Sequence, residues 1–163
     1  MYRAVLAAVV FTACSGAPGG PMKMTHVDDS AALQPQHDPV ESADILSREP
    51  LANTAEVKHI LIGWSDGSGD ASSKDPRAVK RTKKDAEDQI RAIMVQIKNG
   101  ADFDAMMKQY SEDPGSASSG RAYTVSPDAQ LVIEFKQLGL RLKIGEVGVV
   151  QSEFGFHIMK RVD

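Results

Sequence analysis

Two short β-prone segments, far apart in the chain, each carry a single histidine: Val57-Lys58-His59-Ile60-Leu61-Ile62 and Phe154-Gly155-Phe156-His157-Ile158-Met159. Both are rich in β-branched and aromatic residues, which favour a pleated, half-buried strand. Side chains alternate along a strand, so His59, Leu61 and Gly63 share one face, and Lys58, Ile60 and Ile62 the other. A fold for this chain has to house both strands and use the residues between them as connections.

Those residues read mostly as helix. Thr82 is an N-cap candidate with an acid three residues on at Asp85, and Ala86, Ile90, Ile93 and Ile97 then recur at helical spacing, with Met94 widening the stripe. Gly100 after Asn99 suits a left-handed stop. Asp102 caps a second helix through Phe103, Met106, Met107 and Tyr110, which Asp113-Pro114-Gly115 ends. Ser116 to Gly120 reads as a small-residue loop and Ala122 to Val125 as a short strand. A third helix is expected from Pro127 to about Leu138, capped by Ser126, with Leu131 and Phe135 on one face. After a turn at Lys143-Ile144-Gly145-Glu146, two strands, Val147 to Gln151 and Gly155 to Val162, are joined at Ser152-Glu153-Phe154. The predicted order is β-α-α-β-α-β-β. It lacks the regular crossovers of a doubly wound fold, so an α+β domain with helices packed on an antiparallel sheet is expected.

The N-terminal third has a different character. Met1-Tyr2-Arg3 is a short basic start, followed by an apolar run from Ala4 to Ala13 too short to span a bilayer. The run ends at Cys14, the sole cysteine of 163 residues, so no internal disulfide or cysteine-based metal cluster can form. Phe11-Thr12-Ala13-Cys14 resembles a bacterial lipobox, with Phe11 where Leu is commoner. Residues 1–13 are read as a lipoprotein-type signal peptide, and Cys14 as the lipidated residue that would anchor the chain in the membrane of a bacterial cell envelope. The alternative is a misread N-terminus and a cytoplasmic protein. Residues 14–54, punctuated by Pro, Gly and acids and without sustained apolar periodicity, read as a disordered tether; a short helix over Glu41 to Ser47 would be marginal alone. The folded domain is expected over 55–163. A net charge of −3 gives no electrostatic case for nucleic acid binding, and a monomer is expected.

From Glu56 to Asp163 the segments resemble, in order, the parvulin family of peptidyl-prolyl cis/trans isomerases: Lys58-His59-Ile60-Leu61, Arg81-Thr82-Lys83-Lys84-Asp85-Ala86, Phe103 with Tyr110-Ser111-Glu112-Asp113, Lys143-Ile144-Gly145-Glu146-Val147 and Phe154-Gly155-Phe156-His157-Ile158. The resemblance implies a parvulin-like (FKBP-like) four-stranded antiparallel sheet with about three to four helices. It implies isomerisation of X-Pro bonds in polypeptide substrates, assisting the folding of exported proteins, without cofactor or metal. It implies a hydrogen-bonded pair of core histidines, His59 and His157, with Ser152 beside them and Asp113 facing the substrate carbonyl. Leu131, Phe135 and Phe154 would form the pocket for the proline ring.

One stretch departs from the family. A Gly-Asp-Leu-Gly-like turn commonly follows the acidic loop, and here Gly120-Arg121-Ala122-Tyr123 keeps only the first glycine. That leaves open a parvulin-fold chaperone with little isomerase activity. Basic residues Lys74, Arg77, Lys80 and Arg81 leave open a preference for phosphorylated Ser/Thr-Pro targets, although Asp66 and Asp70 in the same loop would repel phosphate.

Overall fold

The computed structural model describes residues 40–65 and 75–163. Cys14, the signal-peptide residues and most of the expected tether lie outside the described residues, as do Asp66, Asp70 and Lys74.

Four strands form one antiparallel sheet: β1 Ala55–Ile62, β2 Tyr123–Val125, β3 Val147–Ser152 and β4 Gly155–Arg161, in the order β2-β1-β4-β3. The first and last strands are therefore the central pair. Their register sets Leu61 opposite His157 and His59 opposite Met159, so the two histidines are diagonal neighbours on one face.

The other face is apolar. Ile60, Ile62, Val149, Phe156 and Ile158 bury against α3 (Lys83–Lys98) and α4 (Phe103–Tyr110), through Ala86, Ile90, Ile93, Phe103, Met106 and Met107. Both helices begin as their sequences predict. Thr82 and Asp85 form a reciprocal capping box, with Thr82 Oγ1 accepting from the Asp85 N–H at 3.2 Å. Asp102 accepts from the Ala105 N–H at 2.8 Å. On the histidine face, Val57, Val150 and Met159 pack against α6 (Ile133–Gly139), chiefly through Phe135 and Leu138, and against Ile45 of α1 (Ala43–Leu46).

The described residues hold six helices rather than three or four, the remaining two being α2 (Pro76–Val79) and α5 (Pro114–Ser119). The expected loop at Ser116 to Gly120 is helix α5. Asp113 caps it by accepting from the Ser116 N–H at 2.8 Å, Pro114 occupies its first turn, and Gly120 ends it in the left-handed region at φ 66°. The third expected helix starts later than predicted, at Ile133. Tight turns fill the residues before it, with the Ala129 N–H bonded to Ser126 O at 3.1 Å and the Leu131 N–H to Ala129 O at 2.8 Å. Leu131 thus precedes the helix instead of sharing a helical face with Phe135.

The folded part also reaches back before residue 55. Gln151 donates its N–H to Glu41 Oε1 at 2.9 Å, Val149 donates to Ser42 Oγ at 3.0 Å, and Val149 O accepts from the Ser42 N–H at 2.9 Å. Ile45 is buried, and Arg48 makes a two-pronged contact with Glu146 at 2.9 and 2.8 Å. The Glu41 and Ser42 contacts satisfy outward backbone groups of Val149 and Gln151 on edge strand β3. The segment lacks periodicity because side-chain-to-backbone bonds, not an apolar stripe, attach most of it.

Candidate functional site

At the end of the histidine face where β1 finishes and β4 begins, the apolar packing gives way to a line of polar side chains. His59 and His157 are buried, their rings stacked 23° apart, and their Nδ1 atoms lie 3.2 Å from each other. His157 Nε2 is 2.7 Å from Ser152 Oγ, and His59 Nε2 is 3.2 Å from Asp113 Oδ2. The four residues predicted from the sequence thus form one hydrogen-bonded chain, Asp113–His59–His157–Ser152. Ser152 is held by the tight β3–β4 connection, where its hydroxyl oxygen also accepts from the Phe154 N–H at 3.1 Å. That turn requires Gly155, at φ 144°, where a Cβ would collide with the Ile62 carbonyl oxygen.

With both imidazoles neutral, the chain has one direction. The ionised Asp113 only accepts, so His59 donates from Nε2 and accepts at Nδ1. His157 then donates from Nδ1 and accepts at Nε2, where the Ser152 hydroxyl donates. Burial, aided by the neighbouring His59, pushes the His157 pKa down to about 3. Hydrogen bonds hold the Asp113 carboxyl well below the usual carboxylate range. That from His59 is the largest, those from Ser116 and Tyr123 add to it, and burial opposes them.

Two members of this arrangement were not foreseen. Ser116 is fully buried and donates its hydroxyl to Asp113 Oδ2 at 2.6 Å. Asp followed by Pro, with Ser three positions after the Asp, is a helix-capping signal that could have found it. Tyr123 donates its hydroxyl to the same oxygen at 2.9 Å, and burial beside that carboxylate raises its own pKa. No local pattern indicates this contact, which depends on β2 pairing with β1.

Above the imidazoles lies an open groove of about 600 Å³, walled by Leu61, Leu131, Val132, Phe135 and Phe154, with Asp113 and Tyr123 on one side. Phe135 sets its ring edge-on to His59 at 5.0 Å and to His157 at 5.4 Å, separating the polar line from the rest of the core. Leu131 and Phe135 both reach the groove although only Phe135 is helical. Phe154 stands at the rim, 54% exposed.

The basic residues lie elsewhere. Arg81 pairs with the buried Glu112, Nη2 to Oε1 at 2.7 Å, a close ion pair without hydrogen-bond alignment, and donates to Gly63 O at 2.7 Å. Glu112 Oε2 accepts from the Gly63 N–H at 2.7 Å. Arg77 pairs with Asp75 at 2.9 Å and donates to Ser111 O at 3.0 Å. Both arginines thereby brace the segment that presents Asp113, and neither they nor the exposed Lys80 line the groove. Among the described residues, no group of three or more His, Cys, Asp or Glu is placed to hold a metal ion.

Comparison with known proteins agrees with this geometry. A family model described as the PPIC-type PPIase domain matches residues 44–163. Foldase protein PrsA 4 of Bacillus cereus is 37% identical over 109 residues, which are 66% of this chain and 31% of that protein. Chaperone SurA of Ralstonia nicotianae is 37% identical over 106 residues, 64% of this chain and 18% of that protein. The chain thus spans less than a third of either relative. Among solved structures, peptidylprolyl isomerase PrsA from Bacillus cereus superposes with TM-score 0.51 at 29% identity, covering 74% of this chain and 38% of that one. The PPIase domain of TbPar42 gives TM-score 0.55 at 26% identity, covering 67% of this chain and 99% of that one. With the family model matched from the first helix to the last residue, around a sheet whose central strands bring the two histidines together, the chain belongs to the PPIC-type, or parvulin, peptidyl-prolyl isomerase family.

Proposed function

We propose that this domain accelerates cis/trans isomerisation of X-Pro bonds in polypeptides, without a covalent intermediate. The uncatalysed reaction crosses a barrier of about 20 kcal/mol, because the twisted amide loses its resonance. A catalyst need only bind the twisted form better than either planar form. The observation that carries the reading is an apolar groove with the oriented chain Asp113–His59–His157–Ser152 along its base.

In this reading Leu131, Phe135 and Phe154 grip the proline ring and exclude water from the bond. The carboxylate of Asp113, ionised at neutral pH, disfavours negative charge on the nearby substrate carbonyl oxygen. That weakens the C–N double bond, whose resonance form needs this charge. An ionised carboxylate is a poor nucleophile towards an amide, so electrostatics is the role argued for it. His59, His157 and Ser152 fix the geometry beneath. The arginines proposed as phosphate contacts already face carboxylates, which favours a substrate without phosphate before proline.

The named relatives are a foldase and a chaperone, which supports unfolded polypeptides as clients. We place the protein in a bacterial cell envelope, anchored through lipidated Cys14, as a monomer. Mass spectrometry of a diacylglyceryl Cys14 tests the anchor.

The isomerase reading is tested by a protease-coupled or magnetisation-exchange assay on Xaa-Pro peptides. A rate raised by the protein supports it. An unchanged rate alongside suppressed aggregation of a denatured client would replace it with a binding module.

A further inference from the structure

Asp113 is held unevenly. Its Oδ2 faces four donors: His59 Nε2 at 3.2 Å, the Ser116 N–H at 2.8 Å, the Ser116 hydroxyl at 2.6 Å and the Tyr123 hydroxyl at 2.9 Å. Oδ1 has no hydrogen-bond partner among the described residues. Ser116 belongs to the helix that Asp113 itself caps, and His59 to a central strand, whereas Tyr123 comes from edge strand β2. The last side-chain torsion of an aspartate is broad and roughly two-fold. A donor arriving from a third direction restricts it.

Tyr123 fits that task in two further respects. Its ring stands edge-on to His59, with centroids 5.1 Å apart, so one side chain touches both partners of the Asp113–His59 contact. The site also leaves it room. A Cβ on Gly115 would stand 2.8 Å from the tyrosine hydroxyl oxygen. Gly115 is not among the glycines with positive φ, so the backbone does not demand it. It occupies the first turn of α5, where alanine is the better helix former. Tyr123 lies in the stretch where the chain departs from the Gly-Asp-Leu-Gly-like turn common in the family.

We propose that Tyr123 is a positioning residue: its hydroxyl fixes Asp113 through Oδ2, so that Oδ1 is the oxygen left for the substrate. The assignment rests on the isomerase reading, and the test separates the two. Tyr123→Phe keeps the ring and removes the hydroxyl. Gly115→Ala keeps the tyrosine and displaces its hydroxyl. In the full chain, Tyr123→Phe is expected to lower kcat on a leucyl-prolyl peptide about tenfold, the size of losing a hydrogen bond to a charged group, with KM little changed because the ring still walls the groove. Gly115→Ala moves kcat in the same direction, and a cooperative unfolding transition shows that it is folded, which keeps the test valid should Tyr123→Phe lose its fold.

In an Asp113→Ala background, Tyr123→Phe costs nothing further, because it acts through the missing carboxylate. Full kcat in both single variants, or an undiminished loss in the Asp113→Ala background, overturns the assignment. A protein that leaves the peptide rate unchanged defeats the isomerase reading instead. Positioning is then decided by the carbon-13 shift of the Asp113 carboxyl at neutral pH. It moves in both variants if the tyrosine hydroxyl is held on Oδ2, and an unmoved shift overturns the proposal.

Discussion

The face of the sheet under α3 and α4 and the face under α6 are built from the same alternating strands, yet they bury different chemistry. Under α3 and α4 the buried side chains are apolar: Ile60, Ile62, Phe156 and Ile158 from the sheet meet Ile90, Ile93, Phe103 and Met107 from the helices. Under α6 the apolar packing of Val57, Leu138 and Met159 stops short, and His59, His157 and Ser152 are buried in its place. An apolar face holds together by area removed from water and asks little of orientation. A buried polar line is stable only when each member has its partner, and an unpaired member is penalised in the low-dielectric interior. The lesson is a division of labour: one face supplies stability, and the other holds an oriented arrangement beside an open groove.

The largest effect expected from breaking this contrast is on the apolar face. Ile90→Ala should lower unfolding free energy by about 3 kcal/mol, from lost burial plus a cavity. Denaturant unfolding measures it, and a loss below about 1 kcal/mol would mean that the face can collapse around the hole. Turnover per folded molecule should be unchanged.

On the polar face, His59→Ala should cost about 2 kcal/mol, because the His157 Nδ1–H is left buried without an acceptor. It should also lower the isomerisation rate at least tenfold. Thermal unfolding that does not move would remove the shared hydrogen bond from the account.

Acid should distinguish the faces by itself. Burial pushes the His157 pKa down to about 3 in the folded chain, against an ordinary value of about 6.5 in the unfolded chain. Between these values the unfolded state binds the extra proton, so stability is lost as pH falls through the window. Asp113, whose pKa is lowered in the fold, adds to the loss as pH falls below the ordinary carboxylate range. A stability curve flat from pH 6 to 4 would contradict a buried neutral His157.

Asp113→Ala should cost at least about 1 kcal/mol, because the residue caps α5 and accepts from the buried Ser116 hydroxyl and His59, while lowering turnover by considerably more. Equal rates before and after would take Asp113 out of the mechanism. The smallest stability change is expected for the half-buried Leu131. Leu131→Ala should unfold within about 1 kcal/mol of the parent and raise KM; an unchanged KM would separate it from the proline pocket.

How much of this was legible in the sequence differs from element to element. α3 was readable because capping and periodicity agree: Thr82 and Asp85 start it, and Ala86, Ile90 and Ile93 bury one stripe. β1 and β4 were readable from their β-branched and aromatic runs. Helix α5 was hidden by small residues without periodicity, although Asp113-Pro114 carries a capping signal. The segment from Val40 to Leu51 reads as tether because its attachments, Glu41 and Ser42 to the backbone of β3 and Arg48 to Glu146, leave no pattern along the chain. The basic residues Arg77 and Arg81 could be counted, but not their partners. Glu112 lies far from Arg81 in sequence and meets it only because α4 delivers the segment after it to the end of β1.

The sequence by itself determined α3, α4, β1 and β4 and which of their side chains share a face, because propensity, capping and alternation act over a few residues. The resemblance to a family nominated the members of the polar line. Only the tertiary structure decided that Asp113, His59, His157 and Ser152 connect end to end, that Tyr123 and Ser116 join Asp113, and that the arginines brace the loop rather than face the groove. Those outcomes depend on strand order, register and the delivery of a helix cap to a strand end. They are contacts between distant residues, fixed when the whole chain buries its apolar surface and pairs its polar groups together.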